Sequence, residues 1–193
     1  MKNKMQLLVA VLVLTLVVLA CGSSSDPGVQ VNTPASGSGN DQPAAAATAQ
    51  PGTARSNPAP AGSEVVMDDM AFQILSIVRP ADTVVASGNM LNTTPEPTQE
   101  YLFIEVQVTC KKSADEKCSI NPVFSMNALG SKGVEYDPEI FLAGVEKLLE
   151  ATEFYGDAVI TGYIPFIVSK DETGFVLVYD PILGDRFYLA IPE

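Results

Sequence analysis

The chain of 193 residues predicts an all-β fold, an antiparallel β-sandwich of two sheets, preceded by an N-terminal leader and a linker. The first observation is the stretch YLFIEVQVTC at 101–110, where apolar and polar side chains alternate as in a strand with one buried face. The second is a series of other short apolar runs with Gly, Pro, Asn or Asp between them. Short strands separated by turn residues favour two packed sheets over a helical or α/β fold.

The leader, residues 1–20, has the layout of a lipoprotein signal peptide. Lys2 and Lys4 are followed by an apolar run over 7–20 that only a threonine interrupts. Its 14 residues are fewer than the ~20 that a membrane-spanning helix needs, and they match the apolar region of a secretory signal. The run ends at the sequence Ala-Cys-Gly around Cys21, which resembles the lipobox of bacterial lipoproteins. Cys21 is therefore expected to carry a lipid at the mature N-terminus, and an ordinary secretory signal cut nearby is the alternative.

Residues 21–63 are expected to be a lipidated, disordered tether rich in Ala, Pro, Gly and Ser. After Cys21 this segment has no aromatic side chain, and Val29 and Val31 are its only larger aliphatic residues. Such a composition buries too little apolar surface to offset the entropy of ordering the chain. As a random coil the tether would hold a domain roughly 35–40 Å from its anchor. An irregular part of the fold is the alternative.

The remaining residues, 64–193, have a normal length for one domain. The apolar runs predict strands at 71–78, 101–110, 122–129, 158–168, 175–179 and 187–191. Phe124 and Met126 would share the buried face of the third of these strands. Pro165 removes a backbone donor from the fourth strand and so predicts an edge strand or a bulge. The segment 141–154 fits either a helix or a loop followed by a strand.

Five features of this domain occur together: YLFIEVQVT, Phe124 with Met126, Gly133 with Tyr136, GYIPF at 162–166 and FVLVYDP at 175–181. Over 65–191 they resemble a family of bacterial lipoproteins and secreted antigens with an immunoglobulin-like domain of unknown function, related to the fold of a small mycobacterial secreted antigen. The resemblance implies an immunoglobulin-like antiparallel β-sandwich with Phe166 and Tyr179 in its core. It implies no particular activity.

Cys110 and Cys118 are expected to form a disulfide. An exported domain is exposed to oxidising conditions, and the polar sequence KKSADEK between the two cysteines is suited to a turn. A hairpin centred on this turn would place the cysteines opposite each other, within the ~4.4–6.8 Å that separates the Cα atoms of disulfide partners. Free thiols, or a redox or metal-binding pair, remain as alternatives, although the spacing is not that of a C-x-x-C motif.

The residues that most enzymes use are missing from the sequence. The chain has no histidine, which removes Ser–His and Cys–His nucleophile pairs and most metal sites, and it has neither a P-loop nor a dinucleotide-binding glycine motif. We therefore expect no catalytic residue, no metal ligand and no cofactor. Two alternatives stay open. One is a pair of acidic side chains acting in hydrolysis, with Asp68, Asp69, Glu135, Asp137 and Glu139 among the candidates. The other is calcium held by Asp68 and Asp69 or by the loop with Asp180 and Asp185.

Charge and exposure shape the functional prediction. Residues 64–193 carry 21 acidic and 8 basic side chains, a balance that repels nucleic acid. The sequence predicts a lipoprotein at the cell membrane or outer membrane, whose non-catalytic domain faces the extracytoplasmic side and binds an envelope or extracellular protein or glycan. Met90 and Leu91, in the 84–100 loop, are the first candidate contacts, unless they pack on the core. The alternative is a carboxylate-dependent hydrolase or a transporter-linked carrier of a small ligand, for which a filled sandwich core would leave little room.

Overall fold

Two antiparallel sheets face each other in the computed structural model, which describes residues 30–32 and 50–192. The strands are β1 Gln30–Asn32, β2 Glu64–Met67, β3 Met70–Val78, β4 Gln99–Cys110, β5 Lys117–Ile120, β6 Met126–Leu129, β7 Glu135–Tyr136, β8 Thr152–Tyr155, β9 Val159–Ser169, β10 Val176–Tyr179 and β11 Phe187–Ala190, and the helices are α1 Asp82–Gly88 and α2 Pro122–Ser125. One sheet has the order β1-β2-β3-β4-β9 and the other β11-β10-β6-β7, while β5 and β8 form a separate ribbon. The predicted antiparallel β-sandwich is confirmed.

Aromatic side chains fill the space between the two sheets. The ring of Phe72 on β3 lies 4.7 Å from that of Tyr179 and 5.3 Å from that of Phe187, measured between ring centres. Phe166 on β9 is also buried, so both Phe166 and Tyr179 lie in the core as the family resemblance implied. Offset and tilted ring contacts of this kind add to the free energy gained by burying the rings.

Strand β4 is buried on both faces at its beginning. Its predicted alternation holds, because every second residue from Leu102 to Cys110 is buried between the sheets. Tyr101 and Phe103 point to the other face and are also buried, at 0% and 2% exposure. They pack with Ala81, Val85 and Leu142, since α1 and the loop after β7 cover the outer side of the five-stranded sheet. The sandwich therefore has a partial third layer that period two alone does not predict.

The segment 141–154 is a loop followed by a strand, so the helical alternative is wrong. The loop runs beside β9, where the Leu149 N–H donates to the Tyr163 carbonyl at 2.9 Å and the Tyr163 N–H donates to the Lys147 carbonyl at 2.7 Å. Gly162 permits this approach, because a Cβ at that position would lie 2.7 Å from the Leu149 nitrogen. Backbone groups that a helix would pair within itself are paired with the sheet instead.

Strand β9 is an edge strand of the five-stranded sheet, as Pro165 predicted. Its outer side is covered in part, because the Glu139 N–H donates to the Pro165 carbonyl at 2.8 Å.

The prediction for Phe124 is wrong: its side chain is 70% exposed. Pro122 begins the short helix α2, a first helical position that suits proline, and this single turn rotates Phe124 away from the face that Met126 buries.

Cys110 and Cys118 form the predicted disulfide, with their Cα atoms 5.7 Å apart. The hairpin expected between them is not formed. Cys110 ends β4 and pairs with Met70 of β3, whereas Cys118 lies in β5 and pairs with Phe154 of β8. The disulfide therefore joins the β5–β8 ribbon to the five-stranded sheet rather than closing one hairpin.

The expected tether is not structureless throughout. Residues 50–63, here named the strap, run along the outer edge of β11, where the Ala59 N–H donates to the Tyr188 carbonyl at 2.8 Å and the Ala190 N–H donates to the Ala59 carbonyl at 2.9 Å. Ala59 is buried, and β1 pairs with β2. The predicted boundary at Ser63 is therefore wrong. Composition measures how much side-chain area a segment can bury, whereas the strap is held mainly by backbone hydrogen bonds.

Removing the strap is expected to expose the edge of β11. A chain that begins at residue 64 should unfold at lower urea concentration than one that begins at residue 50, and it should form dimers or larger species, because unpaired strand edges associate. Both truncations lack β1, so the comparison isolates the strap. Urea unfolding and size-exclusion chromatography with light scattering measure the two effects. Equal stability and a monomeric state for both chains would contradict the role assigned to the strap.

Candidate functional site

Met90 and Leu91 lie in solvent, at 91% and 87% exposure, so the alternative that they pack on the core is wrong. They follow α1 in the connection between β3 and β4, and we name the part of this connection after α1 the first loop. The next residue, Asn92, fixes this connection. Its side-chain amide donates to the carbonyls of Val85 at 3.0 Å and Ala143 at 2.9 Å, and its side-chain oxygen accepts from the Ala143 N–H at 2.8 Å. Two large apolar side chains therefore project from a loop that is held in place.

The connection between β7 and β8, here named the second loop, is bonded to the first loop and carries another exposed apolar side chain. Phe141 is 80% exposed and lies two residues before Ala143, the partner of Asn92. Gly88 and Gly144 bring the two backbones into direct contact, since a Cβ on Gly144 would lie 2.3 Å from the Gly88 oxygen. We name Met90, Leu91 and Phe141 the apolar tip. Phe141 was missed from the sequence because the 141–154 segment was compatible with a helix that would bury part of its apolar side.

A groove of about 300 Å³ adjoins the second loop. Pro122 and Val123 of α2 line one side of it, Ile140 and Leu149 line the loop side, and Pro165 of β9 also contributes. Ile140 is 52% exposed, so its side chain is shared between the groove and solvent. Exposed apolar side chains beside an apolar groove are typical of a contact surface.

Acidic groups lie around this region. The phenol of Tyr101 lies beneath the first loop, where its hydroxyl donates to the Thr93 carbonyl at 2.9 Å. Burial, followed by the charges of the Glu139 and Asp82 carboxylates, raises the pKa of Tyr101 to about 12. Asp82 of α1 and Glu139 of the loop after β7 therefore lie close enough to the Tyr101 phenol to act on its charge.

The two predicted calcium loops meet at the other end of the sandwich. Asp68 lies in the β2–β3 turn, and its Oδ2 is 3.0 Å from where a Cβ on Gly184, in the β10–β11 turn, would be. Burial, followed by the charges of Asp185 and Asp69, raises the pKa of the Asp68 carboxyl. Asp180 is instead paired with Arg186. Nowhere in residues 30–32 and 50–192 do three acidic or cysteine side chains gather as the ligands of a metal ion.

Two of the acidic residues considered for hydrolysis, Glu135 and Asp137, have other partners, and so does the buried Glu172. Glu135 pairs with Arg186 at 3.3 Å, and Asp137 accepts from the Asn127 amide at 2.7 Å. Glu172 is buried, at 1% exposure, and accepts from the Lys132 N–H at 3.2 Å in the turn between β6 and β7. These three carboxylates hold turns and strands together.

Cys21 and the signal peptide 1–20 lie outside the described residues, and both remain predictions. In the part of the chain that the structure describes, no helix has the length and apolar character to cross a membrane.

Comparisons with known proteins identify the fold of the chain. No family model matches it, and no curated protein matches it. The yjhA protein from Bacillus subtilis is similar over 69% of this chain and 98% of that chain, with a TM-score of 0.50 and 13% identity. Two further similar structures are the secreted protein MPT63 from Mycobacterium tuberculosis (TM-score 0.48, 16% identity, 76% of this chain and 100% of that one) and a β-sandwich protein from Clostridium difficile (0.43, 11%, 78% and 100%). A likeness at such identities concerns the fold alone.

Replacing Asp68 with Asn should stabilise the protein at neutral pH. The folded-state pKa of Asp68 is raised above the ordinary 3.8, so the carboxylate makes folding less favourable once the pH rises through that range. The gain should be below about 1 kcal/mol, because Asp68 is exposed and water screens its charge. It should vanish below about pH 3, where the carboxyl is protonated in both states.

Asp157→Asn is the matched control, since Asp157 has the same left-handed backbone (φ 64°, against 49° at Asp68) but lies in the β8–β9 turn. Urea unfolding at pH 3 and pH 7 measures both variants. A gain for Asp68→Asn that is the same at both pH values would show that charge is not its cause.

Proposed function

We propose that the protein is a cell-envelope lipoprotein whose β-sandwich is a non-catalytic binding module on the extracytoplasmic side, and that it contacts an envelope or extracellular partner through the apolar tip. The observation that carries this proposal is the exposure of Met90, Leu91 and Phe141 on two loops that hydrogen bonds hold together. Leaving three large apolar side chains in water on a fixed loop pair gives the folded domain no stability, and it suits contact with another molecule.

The position of β1 supports an orientation of the domain at the membrane. Gln30 pairs with Val66, next to the β2–β3 turn, and Cys21 precedes it by nine residues. A chain of that length spans at most roughly 30–32 Å. A lipid on Cys21 would therefore keep the end with Asp68 towards the membrane. Met90 and Leu91 of the apolar tip belong to the connection that leaves β3 at its opposite end, so these two side chains would face away from the membrane.

The surroundings of the tip favour one class of partner. Asp82 and Glu139 are the acidic groups that act on Tyr101 beneath the loop of Met90 and Leu91. The groove beside Ile140 is lined mainly by apolar side chains, together with Glu139 and Glu150. A protein that presents one or two apolar side chains flanked by lysine or arginine would match both the groove and the charge. The hydrolase alternative is less favoured, because two of the carboxylates considered for it, Glu135 and Asp137, pair with Arg186 and Asn127.

Replacing Met90 and Leu91 together with Ser should abolish cross-linking to the partner on intact cells and leave the stability of the domain unchanged, because neither side chain is buried. The matched control replaces Ile182 and Leu183 with Ser. These two aliphatic side chains are each 87% exposed, but they lie in the β10–β11 turn at the other end. Mass spectrometry of the cross-linked products and thermal unfolding of each variant give the two measurements.

A reproducible envelope partner that is lost with the first pair and kept with the second supports the proposal. Loss with both pairs, or with neither, would assign the contact to another surface. Unfolding of the Met90/Leu91 variant would show instead that the two side chains stabilise the domain.

Replacing Cys21 with Ser should release the protein from the membrane fraction, because Cys21 is the predicted site of lipid attachment. Acyl chains provide the attachment, at ~0.8 kcal/mol for each CH₂ buried in the bilayer. Ser24→Ala, three residues later, is the control and should stay attached. Fractionation followed by immunoblotting measures the distribution, and continued membrane attachment of the Cys21 variant would contradict lipidation.

A further inference from the structure

A cavity of about 400 Å³ opens between the two sheets at the end of the sandwich away from Asp68. Ile77 and Leu102 of the five-stranded sheet form one wall, and Phe175 and Ile191, which flank β10 and β11, form the other. The expectation that a filled core leaves little room is therefore wrong at this end. The volume lies within the ~300–1,000 Å³ that small-molecule sites commonly have.

One charged side chain, Arg79, forms part of the cavity wall. Its Nε donates to Glu100 Oε1 at 2.6 Å, and its Nη2 donates to the Ser169 carbonyl at 3.2 Å. Its guanidinium carbon lies 4.8 Å from the centre of the Phe175 ring. These three contacts, from β4, β9 and the start of β10, hold the guanidinium in one position at the edge of an apolar space. A donor held in this way binds an acceptor with little further loss of side-chain entropy.

The charge of the wall selects the ligand class. The Glu100 carboxylate balances the Arg79 charge within the wall, and the domain around it is strongly acidic. An anionic ligand would lose a large free energy of hydration and meet a wall without net positive charge. An uncharged ligand loses little free energy of hydration when it enters the cavity. The apolar walls favour a ligand that is apolar over most of its length, and the guanidinium can donate N–H groups to one hydrogen-bond acceptor of that ligand.

We infer that this cavity, here named the inter-sheet cavity, binds a small uncharged molecule that is mainly apolar and carries one hydrogen-bond acceptor, such as a ketone or ester carbonyl. The acceptor would lie at Arg79, and the apolar body would lie between Ile77, Leu102, Phe175 and Ile191. This site goes beyond the proposed partner contact. It lies between the sheets, whereas the apolar tip lies over the outer side of the five-stranded sheet.

Linear methyl ketones from hexan-2-one to dodecan-2-one are suitable probes for the purified protein. Calorimetric titration should show saturable binding whose affinity rises with chain length and then levels off when the cavity is filled. The carboxylate of equal length should bind at least about tenfold more weakly, because it carries a charge into a neutral wall. NMR spectra of the unaltered protein should show ketone-induced shifts at Ile77, Phe175 and Ile191.

Two matched substitutions on β3 locate the site. Ile77→Trp places extra volume in the cavity and should weaken ketone binding by about tenfold or more. Leu75→Trp changes an exposed side chain of the same strand and should leave binding unchanged. Absence of saturable binding for every ketone, or NMR shifts confined to residues outside the cavity, would overturn the inference. The NMR result decides the matter if the Ile77 variant does not fold, and neither result depends on the apolar tip.

Discussion

The hydrogen bonding of β4 along both of its sides is the constraint on which the rest of the structure depends. Gln99–Cys110 pairs with β3 on one side and with β9 over eleven successive residue pairs on the other. Its inward face supplies the centre of the core, and Tyr101 and Phe103 on its outward face form the surface on which α1 and the second loop rest. Glu100, near its first residue, holds Arg79 at the inter-sheet cavity. Its last residue, Cys110, carries the disulfide. The apolar tip and the cavity thus owe their positions to the same strand.

A sandwich leaves strand edges unpaired, and this protein covers several of them with segments that are not strands of the two sheets. The strap bonds to β11, and the loop after β7 bonds to β9 through Glu139, Lys147 and Leu149. Both covers use backbone groups. They need glycine or alanine where the chains approach most closely, as at Ala59 and Gly162. Edge protection and display of the apolar tip are therefore linked, since the loop that covers β9 also carries Phe141.

The sequence predicted those parts of the fold that depend on local pattern. Period two located β4, and apolar runs between turn residues located β3, β9, β10 and β11. Pro165 indicated an edge strand, and the polar segment between Cys110 and Cys118 indicated a disulfide. The parts that failed depend on contacts between distant segments. The strap is rich in small residues like a disordered linker, and its partner strand lies more than a hundred residues later. The volume between the two sheets depends on the distance that separates them, and no local sequence pattern indicates that distance. Met90 and Leu91 were identified as candidates because large apolar residues in a polar loop stand out, whereas Phe141 lies in an apolar stretch and does not.

Exposure alone does not identify a contact surface in this protein, and a comparison of its two ends shows why. Ile182 and Leu183 are as exposed as Leu91, but they lie in a turn whose neighbours, Asp180 and Arg186, pair with each other. Met90 and Leu91 instead lie on a loop that Asn92 bonds to a second loop, and that second loop carries the exposed Phe141 and lines a groove. A partner gains from the second arrangement because it meets several apolar groups at once and pays little to order the loop. The number of neighbouring apolar groups and the fixing of their backbone, rather than the exposed area of any one residue, distinguish the apolar tip.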